Sequence, residues 1–193
     1  MALPQYPAPA LIVVDMVVDF FDAAIWPESE LPAMRARLVD GLQAALEAFR
    51  AAGAPVIWIR QEFAPDLSDA FPHMRRTGKR YTLRGTPGAE IVPELPVLPG
   101  EPVLIKRRFS AFYETALDRV LHERRVGTTV LAGITTSWCI RSTAVDAYQR
   151  GYAVLLLREC LGGFSTEDHA RDLAAMDGYI AQAIGTADLG PLF

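Results

Sequence analysis

Three side chains with complementary chemistry stand at comparable points in the chain. Asp15 directly follows the apolar run Leu11–Val14, Lys106 directly follows Val103–Ile105, and Cys139 follows the polar stretch Gly133-Ile134-Thr135-Thr136-Ser137-Trp138. A thiolate is a nucleophile, a carboxylate can take the thiol proton, and an ammonium can hold the charges that result. Each residue also has a plain structural use. An Asp after a strand often caps a helix or forms a turn, Lys106 begins a basic run with Arg107 and Arg108 of the kind that faces solvent, and cysteine is often a small buried hydrophobe. Cys139 differs in its setting, a polar turn at the start of a predicted helix, where exposed N–H groups, the helix dipole and a nearby ammonium are expected to lower a thiol pKa. Cys160, the second of two cysteines, ends a later apolar run with no base or cation placed to activate it, and reads as a buried structural thiol.

The elements that must position these groups alternate regularly. Strands are expected at Ala10–Val14, Val56–Ile59, Val103–Ile105, Thr128–Ala132 and Ala153–Leu157, with a short sixth strand near Ile180–Ala183 as an option. Between them run helices. From Pro32 to Arg50 the residues Leu38, Leu42, Ala45, Leu46 and Phe49 form one apolar stripe that stops at Gly53 and Pro55. Further helices are expected over Ala111–Arg125, from about Ser137 to Arg150, and from Ser165, which has capping-box spacing to Asp168, to about Ala183. Strand and helix alternating in this way predict a three-layer α/β/α fold around a mostly parallel sheet of five to six strands. Ligands bind such a sheet outside the carboxyl ends of its strands, the edge where Asp15, Lys106 and Cys139 fall. Residues 60–101 show no sustained period and many prolines and glycines; a loop of that length inside one domain tends to be functional, and it reads as a lid.

Composition narrows the function class. The chain of 193 residues is expected to be one domain over 1–193. Nineteen Lys and Arg against 23 Asp and Glu leave a net charge of −4, and no basic cluster beyond short runs supplies the field that nucleic acid or an anionic membrane needs. No apolar run approaches the roughly 20 residues of a membrane helix. The opening MALPQYPAPA lacks a basic region and a following apolar core, so it reads as no signal peptide, and the expected location is cytoplasmic, with both thiols reduced.

The segments LIVVDMVVDFF (11–21), KRRFSAF (106–112) and LAGITTSWCIRSTAVDAYQRGYAVLLLREC (131–160), in this order and spacing, resemble the isochorismatase-like cysteine hydrolases, from about residue 10 to 184. That family includes nicotinamidases, N-carbamoylsarcosine amidase, and ureidoacrylate and biuret amidohydrolases. The resemblance implies strand order 3-2-1-4-5-6, a homodimer or homotetramer, and a small amide, carbamoyl or ureido substrate cleaved at a C–N bond through a thioester. It further implies Cys139 as nucleophile, Asp15 as general base and Lys106 as the orienting cation. A cis peptide between Ile134 and Thr135 is implied too, with the N–H groups of Thr135 and Cys139 as oxyanion hole.

The same comparison exposes a departure. Nicotinamidases carry an Asp and two His for a metal just after the second strand, where this chain reads IRQEFAPDLSDAFPH (59–73), with His73 the only histidine nearby. His122 and His169 fall in predicted helices and read as surface or helix-end residues. The expectation is therefore an enzyme without metal or cofactor. For the pocket, Phe20, Trp58, Gln61, Phe109, Phe112 and Trp138 are candidates, with strand core the competing reading for Trp58 and core or pocket equally open for Phe20, Phe109 and Trp138. Arg84, Arg108 and Arg141 are candidate partners for a substrate carboxylate, against simple surface solvation. Two other functions remain open at this point. One is a vinyl-ether hydrolase that uses Asp15 as acid and needs no thiol; the other is an inactive member that binds a metabolite.

Overall fold

The computed structural model describes residues 6–193; the start of the segment read as lacking a signal peptide lies outside the described residues. Six strands, β1 (Pro9–Val14), β2 (Val56–Gln61), β3 (Val103–Lys106), β4 (Thr128–Ile134), β5 (Ala153–Gly162) and β6 (Gln182–Ile184), form one parallel sheet in the order β3-β2-β1-β4-β5-β6. The sixth strand is therefore real. It was hidden in the sequence because Ile180–Ala183 continues the apolar spacing of the preceding helix.

Alternation along the strands divides the core into two layers. On one face Leu11, Val13, Val56, Trp58, Val130 and Ala132 pack against helix α1 (Leu31–Ala51), whose buried stripe is Leu31, Leu38, Val39, Leu42, Ala45, Leu46 and Phe49. Each such aliphatic or aromatic side chain contributes roughly 1.5–3 kcal/mol on burial. On the other face Ile12, Val14, Ile57, Ile59 and Leu131 meet α3 (Leu117–Glu123), α4 (Arg141–Gln149) and α5 (Thr166–Met176). These three helices are shorter than their apolar patterns. Helix α3 does not begin at Ala111, because the hydroxyls of Ser110 and Thr115 accept from the N–H groups of Phe112 and Leu117, each at 3.1 Å, and Glu114 turns to φ 52°. Helix α5 ends at Met176, and the Asp177 carboxylate accepts the Ala183 N–H at 2.8 Å, handing the chain to β6.

Residues 60–101 are not structureless. They contain α2 (Pro72–Thr77), closed by Gly78 in the left-handed conformation, and a short 3₁₀ turn over Pro87–Ala89. Phe63, Leu67, Phe71, Met74, Tyr81, Leu83, Val92 and Leu95 are buried in the α1-side core. The segment is held by scattered apolar anchors with no helical or strand period, which is why no pattern betrayed it. None of the helices among the described residues is long and apolar enough to cross a membrane.

Candidate active site

The sheet reverses direction of growth between β1 and β4, and the crevice at that switch point is where the candidate residues meet. Asp15 leaves β1 at φ 54°, its N–H bonded to the Ile59 carbonyl at 2.8 Å and its own carbonyl taken by Val17 at 2.8 Å. This tight turn throws the carboxylate across the strand ends. Gly133, one residue before the end of β4, has φ 111°, and a Cβ there would lie 2.0 Å from the Val14 carbonyl oxygen. Only glycine lets β4 approach β1 so closely at this level.

Beyond β4 the Ile134–Thr135 peptide is cis, and residues Thr136–Ile140 form a single wide π turn that leads into α4. The Thr135 carbonyl accepts from Trp138 at 3.2 Å and Ile140 at 3.1 Å, passing over the Cys139 N–H. Side chains fix the turn from three directions. Thr136 is bonded to the Gly162 carbonyl at 3.1 Å and to His169 Nδ1 at 2.7 Å, and Thr143 donates to the Cys139 carbonyl at 2.7 Å. His169 is thus a half-buried support of the turn, which its predicted place on a helix surface did not suggest.

Lys106 ends β3 and reaches past the end of β2. Its ammonium lies 2.6 Å from Asp15 Oδ2 and 3.3 Å from Cys139 Sγ, and donates to the Arg108 carbonyl at 3.1 Å. Asp15, Lys106 and Cys139 are all buried. Burial raises the Asp15 carboxyl above its ordinary range, against the opposing pull of Lys106. For Lys106 burial works against the ammonium, yet the carboxylate of Asp15 beside it, by charge and hydrogen bond, holds its pKa up. Burial pushes the Cys139 thiol up to about 12, with the Asp15 charge adding to the rise and Lys106 opposing it. The depressed thiol expected from a helix start is therefore corrected. Cys139 precedes α4 inside a buried π turn, and loss of solvent dominates the ammonium beside it. The resting sulfur carries its proton, next to a carboxylate made more basic by the same burial.

Above Cys139 opens a cavity of about 170 Å³. One wall is Phe20, Trp26, Tyr81 and Phe164, with Trp26 centred 4.9 Å from Tyr81 and 4.7 Å from Phe164. The other is Phe71, Phe109 and Trp138, stacked in series at 4.6 and 5.2 Å. Gln61 and Thr135 complete the floor, and the exposed His73 stands at the rim, stacked on Phe71. Of the pocket candidates, Phe20, Gln61, Phe109 and Trp138 line this space. Trp58 and Phe112 do not. Trp58 lies three residues before the end of β2, roughly 10 Å below the strand ends, and gives its Nε1–H to Glu101 at 2.7 Å. Phe112 packs on Tyr152 in the opposite layer. Trp26, Phe71, Tyr81 and Phe164 were missed, since nothing in their local pattern points to a shared cavity. Cys160 is buried in β5, its thiol also pushed up to about 12 by burial.

The donors after β2 do not suit a metal. Glu62 is engaged at both oxygens, by Arg84 at 3.0 Å and Arg60 at 2.8 Å, and Asp69 by Arg107 at 2.6 Å and the Ala64 N–H at 2.7 Å. Among the described residues no group of three or more His, Cys, Asp or Glu is placed to hold an ion.

Comparison with known proteins agrees with this architecture. An isochorismatase family protein from Desulfovibrio vulgaris superposes with a TM-score of 0.84 at 30% identity, covering 94% of this chain and 96% of that one. N-carbamoylsarcosine amidase from Thermoplasma acidophilum superposes at 0.76 with 28% identity, covering 93% and 97%. Maleamate amidohydrolase of Pseudomonas putida is 34% identical over 132 residues, 68% of this chain and 55% of that protein. Ureidoacrylate amidohydrolase of Methylorubrum extorquens is 34% identical over 138 residues, 63% and 56%. The chain thus spans about half the length of these curated relatives. A family model described as the isochorismatase domain matches residues 9–188, taking in all six strands of the sheet, and on that match the chain belongs to the isochorismatase family.

Proposed function

We propose that the protein is a cysteine amidohydrolase that cleaves the C–N bond of a small amide, carbamoyl or ureido compound. The observation that carries this reading is the buried line Asp15, Lys106, Cys139, with contacts of 2.6 and 3.3 Å, ending on the floor of a cavity at the switch point of the sheet. Similarity to proteins named for amide and ureido hydrolysis supports the same class.

The chemistry follows from the placement. On substrate binding, Asp15 takes the Cys139 proton and the sulfur forms a bond to the amide carbonyl carbon. The carbonyl oxygen becomes an oxyanion, received by the backbone N–H groups of Thr135 and Cys139. Collapse breaks the C–N bond as Asp15 returns the proton to nitrogen, and the amine or ammonia leaves a thioester. Water then gives a proton to Asp15 and adds to the thioester carbon. Collapse breaks the C–S bond, the acid departs, and Asp15 reprotonates the sulfur. Lys106 remains an ammonium throughout, which keeps the Asp15 charge tolerable in a buried place and lies against the sulfur when it becomes anionic.

Substitution of Cys139 by Ala tests the reading. Amide hydrolysis, read as ammonia release, should fall by about a thousandfold or more, with the urea unfolding midpoint unchanged. With the unaltered protein, mass spectrometry of a quenched reaction should show one acyl group on the peptide containing Cys139. Retained activity in Cys139→Ala would overturn the mechanism.

A further inference from the structure

We propose that the cavity above Cys139 selects an uncharged, flat amide and discriminates against amides that carry a carboxylate; the reaction it would undergo rests on the amidohydrolase reading, the binding preference does not. Size is the first ground. About 170 Å³ is close to the roughly 150 Å³ of apolar cavities that take up benzene, so a single ring or an unsaturated chain of similar bulk fills it. The walls are the second. Trp26, Tyr81, Phe109 and Trp138 present aromatic faces and edges from opposite sides, a surface that favours a planar π system.

The third ground is charge. No Lys or Arg is among the residues that line the cavity. Arg84 binds Glu62 at 3.0 Å, Arg108 donates to the Asp69 carbonyl at 2.9 Å, and Arg141 faces Asp172 at 3.6 Å. Lys79 sits 3.5 Å over the Trp26 ring but belongs to a separate outer hollow of about 430 Å³ that the indole divides from the inner cavity. Lys106 lies below the floor, paired with Asp15. Inside the cavity a substrate carboxylate would thus lose its water with no lining Lys or Arg to meet it, and would bring a second negative charge toward Asp15.

The polar groups left for a ligand are neutral. Tyr81 and Gln61 are largely buried and both line the cavity. A hydroxyl and a carboxamide suit the C=O and N–H groups of an uncharged amide. Maleamate and ureidoacrylate, by contrast, are carboxylates, and the relatives named for them match this chain over only part of their length.

The test compares benzamide with 3-carboxybenzamide at about pH 8. The readouts are kcat/KM for ammonia release and, with the Cys139→Ala variant, Kd from quenching of the fluorescence of Trp26 and Trp138. Benzamide is expected to be favoured at least tenfold in both. If neither amide is hydrolysed but the variant still binds benzamide at least tenfold more tightly, the preference stands and the hydrolase reading falls. A ratio below tenfold, a reversed order, or no binding of either amide overturns the proposal.

Discussion

Lys106 and Asp15 stabilise one another where neither could remain charged alone. Removing one partner of a fully buried pair costs about 3–5 kcal/mol, whereas replacing both by uncharged groups is often close to neutral. Lys106→Met is therefore expected to lower stability by about that amount, and the double change Asp15→Asn with Lys106→Met to recover most of it, while both remain inactive. A double-mutant cycle in urea measures this, and a double variant no more stable than Lys106→Met would contradict it. The thiol makes a kinetic prediction. With its pKa pushed up to about 12, Cys139 should react with iodoacetamide at neutral pH at least tenfold more slowly than free cysteine, and faster by about tenfold per pH unit above neutrality. Rapid alkylation at pH 7 would show that Lys106 outweighs burial. That Asp15, Lys106 and Cys139 share one edge of the sheet was legible in the sequence, because each follows an apolar strand directly or across a short polar turn. Tyr81 and Trp26 were not, because a cavity wall assembled from distant residues leaves no spacing to read.

Among the elements, the end of β4 and the turn after it do most to create the site. Gly133 combines φ 111° with a gap that a Cβ would close to 2.0 Å from the Val14 carbonyl. Gly133→Ala should thus force β1 and β4 apart, cost about 3 kcal/mol or more, and abolish activity together with stability, as urea unfolding beside an activity assay would show. A milder change separates position from fold. Thr136→Val removes the bonds to Gly162 and His169 and leaves the volume, so kcat should fall roughly tenfold with a stability loss of only about 1–2 kcal/mol. Unchanged kcat would deny the turn this support. The strands and α1 were readable because each buries a stripe at one period. Helices α3 and α5 were read too long, because Ser110, Thr115, Asp177 and Gly178 stop helices through local bonds and backbone geometry that an apolar stripe does not register.

For the molecule as a whole, the two buried thiols link stability to alkaline pH. Cys139 and Cys160 are each pushed from the ordinary value of 9.0 up to about 12, chiefly by burial, so the folded chain keeps thiol protons that the unfolded chain releases. Their contribution is full below about pH 9 and is lost as pH rises toward about 12. The urea midpoint should therefore fall between about pH 8 and about pH 11, and fall less in a Cys139→Ala, Cys160→Ala double variant, in which the tyrosine and lysine contributions remain. Equal slopes would mean that the thiols are not linked to folding. The sequence by itself determined the layered parallel sheet, since period and alternation are properties of neighbouring residues. It also determined which edge carries reactive groups, because strand ends can be located from the same pattern. Only the tertiary structure decided that burial governs the thiol, that Trp58 and Phe112 belong to the core, and that residues 60–101 supply anchors and cavity wall. Desolvation and shape depend on which distant atoms come together, and that is settled by packing, not by spacing along the chain.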